Sequence, residues 1–184
     1  SLHDAPAPCR ACTWWQGGSR PVDKERWSAG VEGRFGAWGM LFREEGRTVG
    51  LIQYGPSADF PHARRLPAGP ASRDAILITC ALIDPAAGPW VAQRLLLAVA
   101  GECRDRGLIA LEAFATSVER PDAPHLVPLP RAELEEIGFG PVREAHETEW
   151  ARAPAVSPPA RDPRGAPRSP TARARRRSPA GRAR

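Results

Sequence analysis

Glu112 is the one charged side chain in the apolar run LIALEAFA (108–115). A carboxylate set alone in such a run suits proton transfer, the work of a general base relieving an attacking amine of its proton. Its plainer alternative is a sheet-face carboxylate paired with an arginine or solvated. Upstream, the loop Asp84-Pro85-Ala86-Ala87-Gly88-Pro89 leads into Trp90-Val91-Ala92-Gln93-Arg94. A loop that opens a helix aims unpaired N–H groups at one point, where phosphates bind. Gly88 would let backbone approach such a ligand, and Arg94 is the first positive charge of the helix. His62 is a second candidate base, more ordinary as a surface histidine. Tyr54, the chain's single tyrosine, ends a strand-like run, where packing is a more usual role than acid catalysis. Cys9-x-x-Cys12 has the spacing of half a zinc site or of a redox pair. Zinc needs two further ligands, for which His3 or His62 are candidates, and no second CxxC or HxxxH exists, so no metal is expected. Cys80 and Cys103 read as small hydrophobes.

These residues need elements to position them. Residues 75–83 (AILITCALI) carry Thr79 as their only polar side chain, as in a strand covered on both faces. Asp84, Pro85, Gly88 and Pro89 break the run, and Pro89 suits a first helical position. Val91, Leu95, Leu96, Val99 and Cys103 then follow helical spacing, and Gly107 is placed to end the helix as a left-handed cap. A second strand covers 108–115. Strand, helix and parallel strand make an α/β core. Around it the sequence predicts a strand at 12–15 (CTWW), a helix over 21–36, a hairpin of 40–44 and 48–54 turning at Glu45-Gly46, a helix over 130–139 and a final strand over 141–151. Two Pro-rich connections, 55–74 and 116–130, suit cleft-lining loops.

At 184 residues and 42% hydrophobic, the chain supports one core. From Ala151 onward it holds ten Arg against Asp162 alone, seven Pro and no aromatic residue. That composition cannot offset the entropy of ordering, so 151–184 is expected to be a disordered tail behind a domain spanning 1–150. The tail carries +9 and the rest −4. A run of that charge can bind nucleic acid without sequence preference or merely solubilise. No stretch approaches the roughly 20 apolar residues of a membrane span, and no basic segment precedes an apolar run at the N-terminus. A cytoplasmic protein without membrane partners is therefore expected, and nothing in the sequence fixes its oligomeric state.

The order of elements resembles the GNAT superfamily of N-acetyltransferases over residues 8–150, in particular actinobacterial members. The matching segments are Cys9-Arg10-Ala11-Cys12-Thr13-Trp14-Trp15, VGLIQYGP (49–56), ILITCALI (76–83) and LEAF (111–114). The resemblance implies a GNAT-like mixed central sheet with flanking helices, and acetyl-CoA as cosubstrate in a cleft between two parallel strands. It places the pantetheine arm on the backbone near Cys80–Ile83 and the pyrophosphate on the next loop and helix start. Ile83, Gly88, Trp90, Val91, Ala92 and Arg94 are the implied cofactor-binding residues, and Glu112 the implied base. The family's pyrophosphate motif, Gln/Arg-x-x-Gly-x-Gly/Ala, falls on 87–92, where only Ala92 matches. Ala87 stands for Gln/Arg, Trp90 for Gly, and Pro89 lacks an N–H. The tyrosine that many members use as acid on the last helix is absent, Phe139 following Gly138 there. Two readings follow: transfer of an acetyl group to a small-molecule or peptide amine, or a binding or scaffold module of the same fold that has lost CoA chemistry and meets nucleic acid through its tail.

Overall fold

The segment predicted as a first strand is helical. α1 (Ala7–Ala11) and α2 (Trp14–Gly17) replace it. Aromatic pairs favour strands only where a sheet edge is there to receive them. Here Trp15 instead sinks below the sheet, stacked on Phe114 with ring centroids 5.8 Å apart, while Trp14 meets it edge-on at 4.7 Å. A computed structural model underlies this description, which covers residues 1–17, 20–88, 90–118, 125–126, 128–143, 145 and 153–156.

α3 (Lys24–Phe35) starts where the Asp23 carboxylate accepts the Arg26 N–H at 2.9 Å, and it ends at Gly36 with φ +96°. Gly30 and Gly33 do not break it, because Lys24, Ser28 and Val31 hold one face against the body. β1 (Gly39–Glu44) and β2 (Arg47–Pro56) form the expected hairpin. Glu45 and Gly46 both take positive φ, 49° and 79°, as a two-residue turn between twisted strands requires. The 57–74 connection contains two short 3-10 turns, Ser57–Asp59 and Pro61–Arg65. It buries Phe60, Ala63, Leu66 and Ala68 against Trp15 and Leu77, so it is a packed wall of the domain.

β3 (Ala75–Ile83), α4 (Trp90–Asp105) and β4 (Ala110–Ala113) form the unit read from the sequence. Pairing of β3 with β4 is parallel, Ile76 opposite Leu111 and Leu77 opposite Glu112. The α4 residues Val91, Leu95, Leu96, Val99 and Cys103 are buried over Ile76, Ile78, Leu111 and Ala113. Gly107, at φ +68°, follows the helix as expected. β5 (Ala115–Thr116), β6 (His125–Leu126), β7 (Leu129–Pro130), α5 (Arg131–Glu136), β8 (Gly140–Arg143) and β9 (Ala153–Val156) complete the chain.

The main sheet runs β1-β2-β3-β4-β9-β8, antiparallel except at β3–β4, giving a mixed central sheet with flanking helices. β9 lies beyond the boundary that composition set at residue 150. A strand paired on both sides is held by its backbone, to which side-chain composition is blind. β8 covers the start of the predicted final strand, and the rest of that prediction, residues 144 and 146–151, lies outside the described residues, as do Pro89, residue 152 and the tail from 157. Among the described residues no helix is long and apolar enough to cross a membrane.

α4 presses on β2 at Gly50, where an added Cβ would stand 2.8 Å from Val91 Cγ1 and 3.1 Å from Leu95 Cδ1. Gly50→Val is expected to cost about 1–3 kcal/mol by overpacking, read as a lowered urea midpoint with unchanged slope.

Candidate active site

Parallel pairing of β3 and β4 ends at Ile78 and Ala113, yet β3 runs on to Ile83. Past Ala113 the chain leaves the main sheet. The Phe114 carbonyl accepts the Leu129 N–H at 3.0 Å, and β5 pairs with β7 as a separate two-stranded sheet. The two central strands therefore diverge, freeing the β3 edge beyond Ile78 from β4. Part of that edge has another partner: β6 pairs antiparallel with it, Ala81 opposite Leu126 and Leu82 opposite His125. Sequence reasoning missed this, because His125 and Leu126 sit in a Pro-rich stretch without a strand-like run.

The loop at the end of β3 satisfies its own donors. Asp84 accepts the Ala86 N–H on its carboxylate at 3.0 Å and the Ala87 N–H on its carbonyl at 2.9 Å. The Val91 N–H reaches the Gly88 carbonyl at 3.4 Å. Arg47 balances the Asp84 charge at 3.2 Å. Asp84 is thus the N-cap of the turn Pro85–Ala87, a role that an Asp immediately before a helical turn signals in sequence. Trp90 is 46% exposed and meets Phe42 edge-on, centroids 5.3 Å apart. Its indole lies over Gly88 (φ +81°), where an added Cβ would be 3.0 Å from Trp90 Nε1. Of the sequence-derived cofactor residues, Gly88 and Trp90 thus come together at the loop. Val91 and Ala92 turn their side chains into the core, Ile83 is buried opposite Gly50, and Arg94 is exposed on the helix.

Glu112 is 1% exposed and lies on the sheet face opposite α4, where one carboxylate oxygen accepts the Ser72 N–H at 2.9 Å. The fold brings it to the 57–74 wall and not to the loop at 84–90. Tyr54 is a packing residue of the core, its hydroxyl donating to Glu102 of α4 at 2.6 Å; burial and that carboxylate push its pKa well above the usual tyrosine range. His62 packs on Trp14, centroids 4.2 Å apart, and its pKa is lowered by partial burial and by Arg65. Burial pushes the thiols of Cys9 and Cys103 up to about 11 and that of Cys80 to about 12. Among the described residues no three His, Cys, Asp or Glu side chains gather as a metal site.

No protein-family model matches the sequence, and no curated protein matches it either. Solved structures do. An agmatine N-acetyltransferase variant in its apo form is 13% identical, over 78% of this chain and 86% of that chain, at a TM-score of 0.50. An N-acetyltransferase from Staphylococcus aureus Mu50 is 15% identical, over 75% and 79%, at 0.49. A Salmonella typhimurium protein solved with its cofactor acetyl-CoA is 16% identical, over 77% and 77%, also at 0.49. The chain has the fold of N-acetyltransferases.

Proposed function

We propose that the protein is an acyl-CoA-dependent N-acyltransferase acting on an amine. The observation that carries this reading is the divergence of β3 from β4 after Ile78, which separates the two central strands and releases the β3 edge from β4, with β6 paired only at Ala81 and Leu82. Likeness to the agmatine N-acetyltransferase fold and the segments shared with GNAT enzymes support it. In this reading acetyl-CoA lays its pantetheine arm along the β3 edge near Cys80–Ile83, through backbone hydrogen bonds. The acceptor amine attacks the thioester carbonyl, the C–S bond breaks, and the thiolate takes a proton from water. Glu112 is the base that removes the ammonium proton.

The pyrophosphate is the weak part of the fit. Four N–H groups of the 84–91 segment already have partners, and the Asp84 carboxylate adds negative charge beside them. Arg94 is then the group left to meet the phosphates. These features favour a second reading, a module of the same fold without CoA chemistry.

Release of CoA thiol from acetyl-CoA, measured across a panel of amines, separates the two readings. β6 holds part of the edge that the pantetheine arm needs, so the cosubstrate must displace it. Leu126→Pro disfavours the short β6 pairing with β3 by about 1 kcal/mol and is expected to lower the KM for acetyl-CoA about fivefold. An unchanged or higher KM would count against the shared edge, and no thiol release with any amine would favour the second reading.

A further inference from the structure

The wall between β2 and β3 forms a half-open cavity of about 370 Å³. Ala58, Ala63, Pro70 and Ala71 give it apolar sides, and Ser57, Arg64 and Arg73 complete the lining. Both arginines are exposed, and neither forms an ion pair among the described residues. From Pro61 to Arg73 the chain carries Arg64, Arg65 and Arg73 and no acidic residue. The flanking Asp59 is held by Arg34 at 2.6 Å; Asp74 follows Arg73 and makes no ion pair among the described residues. Arg64 and Arg73 therefore have no carboxylate partner among the described residues and are available to an anion in the cavity.

The frame is fastened from three sides. Ser57 Oγ lies 2.9 Å from the Ser72 carbonyl and 3.3 Å from that of Arg73. Gly69 packs so closely that a Cβ there would stand 2.2 Å from the Ala63 carbonyl oxygen. Arg143 donates to the Pro70 carbonyl. A cavity tied in this way is formed before any ligand arrives, which lowers the cost of binding. Ser72, between the lining residues Ala71 and Arg73, gives its N–H to the Glu112 carboxylate at 2.9 Å. Ser72 thus ties the lined segment to the buried carboxylate.

We propose that this cavity binds the acceptor, a small amine that also carries an anionic group, either a carboxylate or a phosphate. Arg64 and Arg73 hold the anion, whose geometry the guanidinium fork matches, and the apolar sides hold the linking alkyl chain. Its role in transfer rests on the acyltransferase reading, whereas the binding does not. The test uses amide NMR spectra of the full chain at low salt without acetyl-CoA. The probes are 4-aminobutyrate and O-phosphoethanolamine, with 4-aminobutyramide and agmatine as uncharged-headgroup and cationic controls. Saturable shifts at Ser57, Arg64, Ala71 and Arg73 are expected with at least one anionic amine, and which one responds identifies the headgroup. Arg64→Ala and Arg73→Ala should each weaken that binding about tenfold. The proposal is overturned if neither anionic amine produces shifts by about 20 mM, a concentration that still detects millimolar affinity. It is equally overturned if the controls bind as well, or if both arginine variants bind like the parent. Failure of the acyltransferase reading would show separately, as absent acetyl-CoA binding.

Discussion

Glu112→Gln is expected to lower turnover by about 10²–10⁴, the usual worth of a positioned general base. The substitution isolates the proton-accepting role, because the amide oxygen of Gln can still accept the Ser72 N–H that Glu112 now holds at 2.9 Å. Folding and acetyl-CoA binding should therefore stay close to the parent. Glu112→Leu makes the complementary change, removing the acceptor of the Ser72 N–H at a cost of about 0.5–1.5 kcal/mol. Turnover that survives Glu112→Gln would confine Glu112 to bracing the 57–74 wall. Loss of turnover in Gln with stability lost only in Leu would assign it both tasks.

Trp15→Ala should produce the largest loss of stability, about 3–5 kcal/mol for a buried aromatic removed from a packed core. For a domain of this size that lowers Tm by about 10 °C. Trp15 is 2% exposed, stacks on Phe114 and packs with Phe60, Ala63, Leu66 and Leu77. It joins α2, the 57–74 wall and the point where the chain leaves β4 for β5. Trp15→Phe keeps part of this contact and should lose less than half as much. A thermal melt of Trp15→Ala within about 2 °C of the parent, less than the shift expected per kcal/mol, would show that this second cluster does not hold the domain together.

How much of this was legible depended on which force fixed each element. The buried face of α4 could be read because Val91, Leu95, Leu96, Val99 and Cys103 repeat with the helical period. Glu45-Gly46 could be read because a two-residue turn needs positive φ at both positions. By contrast, α2 was hidden: Trp14 and Trp15 favour a strand locally, and only their packing on Phe114 and His62 makes the segment helical. β6 and β9 were hidden for a different reason, since short strands paired through backbone leave almost no trace in side-chain pattern. Glu112 was found by its isolation in an apolar run, but its partner Ser72 is forty positions away and contributes only a backbone N–H. The same limit concealed the cavity. Its arginines look like ordinary loop charges until the 57–74 wall folds and brings Arg64 and Arg73 to one lining.

The most direct measurement is isothermal titration of the full chain with acetyl-CoA. Acyl-CoA held on the β3 edge predicts a saturable heat with one site per chain, tightened in Leu126→Pro. No heat and no thermal shift at millimolar acetyl-CoA would contradict it and leave the fold without its cosubstrate.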